Sequence, residues 1–355
     1  MSKIDIESVL ERNRAEIDAA IAKYLPKKYD KKSLEFTLGK ARYSYDVNSA
    51  SDAISTPIWD FLSRGGKRWR PALFLMFAEA LGADTRKLID FAIIPELAHN
   101  GTIVADDIED NSELRRGKPT LHKIYGVDVA VNLSGALYFL PLLPLFKKRK
   151  EITPSTLLGA YEIYSQEMLN LHFGQAFDIW WHKGMKEPNE DEYLQMCAYK
   201  TGTLARMAAK LGAIFAGGSE AQIEAAGRFA EAVGVAFQIQ DDVLNLVGEK
   251  FAKGKGLGED IHEGKRTLMV IHCLKHASKE DASRLRAILN SHPEDQGTIN
   301  EAIAIIKKYD SIEFARKRSQ QLVSEAWKNL DPTLPKSDAK ERLHAFAVYL
   351  IERDV

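Results

Sequence analysis

Cysteine is nearly absent: Cys197 and Cys273 are the only two in 355 residues. Neither belongs to a CxxC pair or has histidines at ligand spacing. A disulfide scaffold and a zinc finger are therefore excluded, and a reducing cytoplasm is the expected compartment. A charge of one sign is lacking too, since 49 lysines and arginines stand against 50 aspartates and glutamates, a formal charge of -1. Nucleic-acid and acidic-membrane binders usually carry a basic excess, and over the whole chain there is none. No apolar leader opens the sequence, because Lys3, Asp5, Glu7, Glu11 and Arg12 fall in its first twelve residues. The one long uncharged run, Val129 to Phe146, contains Asn132, Ser134 and Gly135, and Pro141 and Pro144 break it. That pattern predicts a buried helix ending in a proline turn, with no membrane span. Stretches that alternate apolar and polar residues with β-branched enrichment are scarce, so few strands are expected.

What the chain does have is enough apolar material for a core, 45% hydrophobic against 28% charged residues. Its periodicity is helical. Ile6, Val9, Leu10, Ile17, Ile21 and Leu25 form a stripe that stops at Pro26, where the charged connector KKYDKK follows. Ala302, Ile305 and Ile306, then Leu322, Ala326 and Leu330, then Leu343, Phe346 and Leu350 continue the pattern near the C-terminus. No segment is biased enough to be an interdomain linker, and no repeat of fixed period occurs. The expectation is one all-α domain over residues 1–355.

Two acidic clusters carry the chemistry. In PELAHNGTIVADDIEDNSELRRGKP an apolar run ends in Asp106, Asp107, Glu109 and Asp110. Residues four apart share a helix face, so Asp106 and Asp110 point together, with His99 on the same stripe. In FQIQDDVLNL, Gln238, Asp241, Asp242 and Asn245 follow the i, i+3, i+4, i+7 spacing of a single face. Carboxylates crowded in this way repel unless cations intervene. Magnesium suits them: it prefers oxygen and typically binds one or two carboxylates plus substrate phosphates. The spacing does not fit a calcium EF-hand. Basic residues group at element boundaries: Lys67 and Arg70 before Pro71, Arg115 and Arg116 before Gly117, Lys200 with Thr201, and Lys255 and Lys265 about a glycine-rich loop. A helix start with adjacent cations is a ready anion site. The combination predicts metal-bridged binding of phosphorylated substrates.

The ordered set GGKRWRP, His99 seven residues before DDIEDNSELRRGKP, FGQAFD, KTG, FQIQDD and GEDIHEGK resembles the trans-isoprenyl diphosphate synthases, the polyprenyl synthetase family, most closely the short-chain geranylgeranyl type. The motifs occupy about residues 60–270. The resemblance implies an all-α, single-domain bundle around a deep cavity, a homodimer, and Mg2+, three ions per active site. It implies Asp106, Asp110 and Asp241 as metal ligands, with Asp107, Asp242 and Asp260 just outside them. Lys67, Arg70, His99 and Arg116 would hold isopentenyl diphosphate. Arg115, Lys200, Thr201, Gln238, Lys255 and Lys265 would hold the allylic diphosphate, and Gln175 and Asp178 would face the reacting centre. No side-chain base is assigned, because in this family the departing diphosphate takes the proton.

The implied reaction is head-to-tail condensation of isopentenyl diphosphate with dimethylallyl, geranyl or farnesyl diphosphate by ionisation, condensation and elimination. Asn245 departs from the family's usual second motif, keeping an oxygen but losing a charge. Gly101 and Thr102, just before the first acidic motif, are small, and Ala136 and Leu137 on the next helix could face the same space. Small residues there suggest a twenty-carbon product, with fifteen carbons or a longer chain as alternatives and Tyr138 and Phe139 as a possible floor. A terpene cyclase has no need of the second diphosphate site that Lys67, Arg70 and Arg116 would form. A non-catalytic synthase subunit would be expected to have lost one acidic motif. Pro95 predicts a helix start or a kink.

Overall fold

The computed structural model describes residues 4–248 and 257–352. Among them the regular structure is helical, apart from one antiparallel hairpin that pairs β1 (Leu114–Arg115) with β2 (Lys118–Pro119). The chain groups into two compact units, residues 1–161 with 211–218, and residues 162–210 with 219–355.

In the first unit the N-terminal apolar stripe forms two helices rather than one, α1 (Ile6–Arg12) and α2 (Arg14–Tyr24), divided at Asn13. Asp5 caps α1 by accepting from the backbone N–H groups of Glu7 and Ser8. Ile6, Leu10, Ile17, Ile21 and Leu25 are buried, as the stripe predicts. The helices α3 (Lys31–Leu38) and α4 (Thr56–Ser63) follow. They lead to α5 (Trp69–Ala80) and α6 (Ile89–Glu109), both apolar nearly all round and buried accordingly. Pro71 lies in the first turn of α5, where its missing N–H costs nothing. Pro95 falls inside α6 and neither starts nor ends it; only the Phe91 carbonyl loses its helical donor there. The next helix, α7 (Val127–Phe139), packs along α6. The apolar run Val127–Lys147 is long enough to cross a membrane, with 44% of its most apolar window buried. A 3-10 turn at Leu140–Leu142, where Pro141 sits, breaks it as the prolines predict.

In the second unit, the later part of α8 (Pro154–His182) is followed by α9 (Glu190–Cys197) and α10 (Thr203–Phe215), whose last turn belongs to the first unit. The long α11 (Glu220–Val247) lies along α14 (Ser311–Leu330), and α12 (Glu259–His262) and α13 (Leu268–His276) complete the surroundings of the site. Val235, Ile239, Val243 and Leu246 of α11 pack with Leu268, Cys273 and Ile306. Both cysteines are buried free thiols. A buried ion network ties three of these helices together. The Arg206 guanidinium of α10 reaches Glu167 of α8 at 2.6 Å and also contacts Glu231 of α11, and Thr203 donates to Glu167 at 2.6 Å. Arg206→Ala would leave the buried Glu167 carboxylate without its cation, and about 3–5 kcal/mol of unfolding free energy should be lost. Urea denaturation measures it, and a loss under about 1 kcal/mol would show that the network contributes little.

Candidate active site

The first unit holds a cationic cluster built on glycine backbone. Gly65 and Gly66 have φ of 108° and 121°, conformations closed to other residues, and turn the chain into α5. Arg68, at the start of α5, and Arg116 are themselves left-handed, with φ of 48° and 54°. A non-glycine residue held there is strained, and here the strain aims two guanidinium groups at one loop. Arg116 Nη1 donates to the Gly65 carbonyl at 3.0 Å and its guanidinium lies 4.7 Å from the Phe61 ring centre. Arg68 is neutralised: its Nη1 meets buried Glu96 at 3.1 Å and its Nε meets Asp18 at 3.0 Å. Arg70 is buried, stacks 4.2 Å from the Trp69 ring centre, and its Nε has no hydrogen-bond partner among the described residues. Burial brings its pKa down to about 10, against the attraction of Glu96. Mostly buried His99 is held well below the ordinary imidazole value, first by burial and then by Arg70, Arg116 and Arg115. Lys67, on the exposed edge, is 3.5 Å from Glu7. The structure thus brings Arg70, Arg116 and His99 together around more positive charge than Glu96 neutralises.

The first acidic motif closes α6. Asp106 and Asp110 are partly exposed, whereas Asp107 turns inward and is 1% exposed. Asp107 Oδ1 takes both Arg115 Nε at 2.7 Å and Nη2 at 2.6 Å, and Arg115 reaches Asp106 at 3.9 Å. The hairpin that follows needs positive φ at both turn residues, Arg116 and Gly117, which is the type I′ geometry of a two-residue loop. It places Arg115 against the acidic helix and Arg116 against the glycine loop. Arg68 and Glu96 were missed by sequence reasoning; the signals were a second arginine inside GGKRWRP and a lone carboxylate in an apolar run.

The second unit assembles the other set. Gly174, in FGQAFD, allows α8 to touch the π-helical turn Ala198–Gly202, since a Cβ there would lie 2.4 Å from the Lys200 nitrogen. Gly234 similarly meets Gly202, where a Cβ would lie 2.6 Å from its Cα. These two close approaches put Asp178 of α8 2.5 Å from Lys200 Nζ, while Thr201 donates to Gln238 of α11 at 2.8 Å. Burial works to raise the Asp178 pKa, but Lys200 and then Lys265 overcome it and hold the carboxyl low. Gln238 donates to Asp242 Oδ1 at 2.8 Å, and buried Tyr193 donates to Asp242 Oδ2 at 2.7 Å. Both Asp242 oxygens are therefore engaged inside the protein, and burial with the charge of Asp260 raises its pKa well above the usual range. Asn245 turns inward and accepts the Asp260 N–H at 3.2 Å, so it organises α12. Burial raises Asp260 to about 6 against the pull of Lys265, 3.3 Å away. Asp241 remains partly exposed, and Gln175 lies one helical turn before Asp178. Tyr193 carries no motif and was missed. Lys255 lies outside the described residues.

Among the described residues no three His, Cys, Asp or Glu side chains gather as a complete metal cage. The donors present do fit magnesium, because Asp106 with Asp110, and Asp241, are oxygen ligands with exposure to spare for an ion completed by substrate phosphates. Near the first motif, Gly101 is a packing contact: a Cβ would lie 2.8 Å from that of Leu137 and 3.1 Å from the Tyr138 ring. Ser134 donates to the Gly101 carbonyl at 3.0 Å, and Thr102 donates to the His99 carbonyl at 2.8 Å. Leu137 is buried against Gly101, Ala136 and Thr102 are partly exposed, and Phe139 is 73% exposed and provides no floor within its unit. Trp181 packs in the core, stacked on Phe177, whereas Trp180 faces outward.

A helical fold with two aspartate-rich helix ends and separate cationic sets defines a class that handles diphosphates, and comparison with known proteins makes it specific. The polyprenyl synthetase family matches residues 51–306, so the chain belongs to that family and is a trans-prenyltransferase. A short chain isoprenyl diphosphate synthase of Methanothermobacter thermautotrophicus is 35% identical over 293 residues, 82% of this chain and 88% of that protein. Geranylgeranyl pyrophosphate synthase olcC of Penicillium canescens is 36% identical over 273 residues, 77% and 78% of the two chains. The crystal structure of geranylgeranyl pyrophosphate synthetase from Pyrococcus horikoshii Ot3 superposes with a TM-score of 0.84 at 32% identity, over 98% of each chain. A decaprenyl diphosphate synthase from Rhodobacter capsulatus shares the fold, with a TM-score of 0.82 at 24% identity.

His99 should stay neutral in the free protein. The unfolded chain binds the proton more readily than the folded one, so the His99 contribution to stability is complete above pH 6.5 and declines as the pH falls below it. NMR titration of the His99 ring is the check; a midpoint at or above 6.5 would mean that burial and the arginines do not act on it as placed.

Proposed function

We propose that the protein condenses isopentenyl diphosphate with allylic diphosphates to make geranylgeranyl diphosphate, using Mg2+, three ions per site. The observation that carries this reading is the pair of buried Arg70 and half-buried Arg116, with neutral His99 beside them, whose charge exceeds that of the Glu96 carboxylate already held by Arg68. A buried cation lacking its counter-ion is costly, and a diphosphate supplies the missing charge. Lys67 joins from the exposed edge. Isopentenyl diphosphate is assigned to this set.

The allylic diphosphate is assigned to Arg115, Lys200, Thr201, Gln238, Lys255 and Lys265. Asp106, Asp110 and Asp241 would hold magnesium, which when bound screens the charge that develops on the leaving diphosphate. The chain's own residues do the remaining work. Asp107 steers Arg115, and Asp242, fixed by Tyr193, steers Gln238. Asp178 orients Lys200, and Asp260 orients Lys265. Fixed donors of this kind stabilise a leaving anion without reorganising as it forms. Gln175 and Asp178 are assigned to the reacting centre, and proton loss to the released diphosphate. The two sets serve one reaction within one polyprenyl synthetase domain, a reading supported by the unbroken family match across both units. The twenty-carbon product rests on the small, partly exposed Thr102 and on relatives whose names specify geranylgeranyl synthesis. A homodimer in the cytoplasm completes the proposal; exposed Val127, Val131 and Phe139 on α7 supply apolar surface for it.

The test is a product assay with isopentenyl diphosphate and dimethylallyl, geranyl or farnesyl diphosphate, with magnesium or EDTA. Elongation to a C20 alcohol after dephosphorylation should occur only with magnesium. Asp106→Asn with Asp110→Asn should lower kcat by roughly 10²–10³ or more, the scale of lost transition-state charge stabilisation. Arg70→Ala should raise KM for isopentenyl diphosphate far more than for the allylic partner. Thr102→Phe should shorten the product. Full magnesium-dependent turnover by the double aspartate variant would refute the mechanism.

A further inference from the structure

Two basic clusters take no part in the catalytic reading, KKYDKK at 27–32 and KKRK at 147–150. They are remote in sequence, yet the first unit brings them to one face. Asp90, at the start of α6, binds Lys23 at 2.6 Å and Lys148 at 3.1 Å through the same carboxylate oxygen. Tyr24 donates to that oxygen at 2.9 Å, and its ring centre lies 6.0 Å from that of Phe36 on α3. The ammonium of Lys147 sits 4.8 Å over the same Phe36 ring. Together, α3 and the 146–150 stretch form one continuous surface.

Its composition is unlike that of the chain as a whole. Residues 27–43 hold six lysines and arginines against two carboxylates, and 147–150 are four consecutive cations, in a chain of net charge -1. Among the described residues Lys28, Lys31, Lys32, Lys40, Arg149 and Lys150 are exposed and make no ion pair. Whole-chain neutrality does not cancel such a patch, because charges beyond about 8 Å are screened at physiological salt. Exposed apolar side chains stand among the cations: Leu38 is 71% exposed, Tyr43 83%, Phe146 44% and Phe36 37%. A merely solvating surface has no use for uncovered Leu and Phe. An acidic macromolecule would engage the charge and leave those tips in water. Lysine and arginine interleaved with apolar and aromatic tips match the headgroup zone of an anionic bilayer, where both are satisfied at once.

We propose that this face docks the enzyme, without spanning, on an anionic phospholipid surface. The proposal stands on these surface residues and not on the active-site assignments.

Flotation of the full-length protein with phosphatidylcholine vesicles, with and without phosphatidylglycerol, at low and high salt, tests it. The protein should float only with phosphatidylglycerol and only at low salt. The triple variant Lys147→Glu, Arg149→Glu, Lys150→Glu should lose at least about 100-fold in partitioning, from roughly fivefold per cation. Leu38→Ser with Tyr43→Ser should lose severalfold. Both variants should keep wild-type prenyl synthesis in a vesicle-free assay, which separates this test from that of the catalytic reading. Absence of binding, equal binding to pure phosphatidylcholine, or anionic binding that survives the triple reversal would each overturn the proposal.

Discussion

Positive charge that the protein buries without fully neutralising is the constraint around which the first unit is arranged. Glu96 is the buried carboxylate in reach, and Arg68 holds it at 3.1 Å. Arg70 and Arg116 are left to repel one another, and burial together with their charge keeps His99 neutral. The fold opposes that repulsion with covalent geometry. Two left-handed arginines and two left-handed glycines lock the loop, and the Gly65 carbonyl accepts from Arg116. An arrangement costly in the free protein and relieved by an anion is what a diphosphate site requires.

The second unit solves the opposite problem, since its carboxylates would repel. Asp178 and Asp260 are each matched with a lysine, and Asp242 is satisfied by the Tyr193 hydroxyl and the Gln238 amide. That leaves Asp241 as the acidic group with surface to offer. The precision comes from backbone contact. Gly174 and the Gly202–Gly234 pair let helices approach where any side chain would collide. Family motifs that look like isolated glycines are, in three dimensions, the contacts that set the spacing of Asp178, Lys200, Thr201 and Gln238.

The acidic face of the first motif is a local property, and it was legible. One turn separates Asp106 from Asp110 in any helix. The division of labour between neighbours was less so. Asp106 and Asp107 are adjacent and chemically identical, yet only Asp107 is buried against Arg115. Likewise Asn245, which in sequence completes a ligand-like face, points to the backbone of α12. Gly101 has the look of pocket lining, but it is where α7 presses Leu137 and Tyr138 onto α6. Net charge is likewise a whole-chain property, and a chain of -1 contains two lysine clusters that folding joins through Asp90.

The sequence by itself determined the helical class, the two aspartate-rich helix ends, the cations at element boundaries and the family to which they belong. All of these follow from short-range periodicity, turn chemistry and motif order. Only the tertiary structure decided which arginine is neutralised and which is left for a ligand, and which aspartate faces outward. It also decided that Tyr193 and Glu96 belong to the sites. Those outcomes depend on contacts between residues tens of positions apart, such as Arg68 with Glu96 and Tyr193 with Asp242. Burial decides whether a charge is costly or free, and burial is a property of the packed chain rather than of any segment of it.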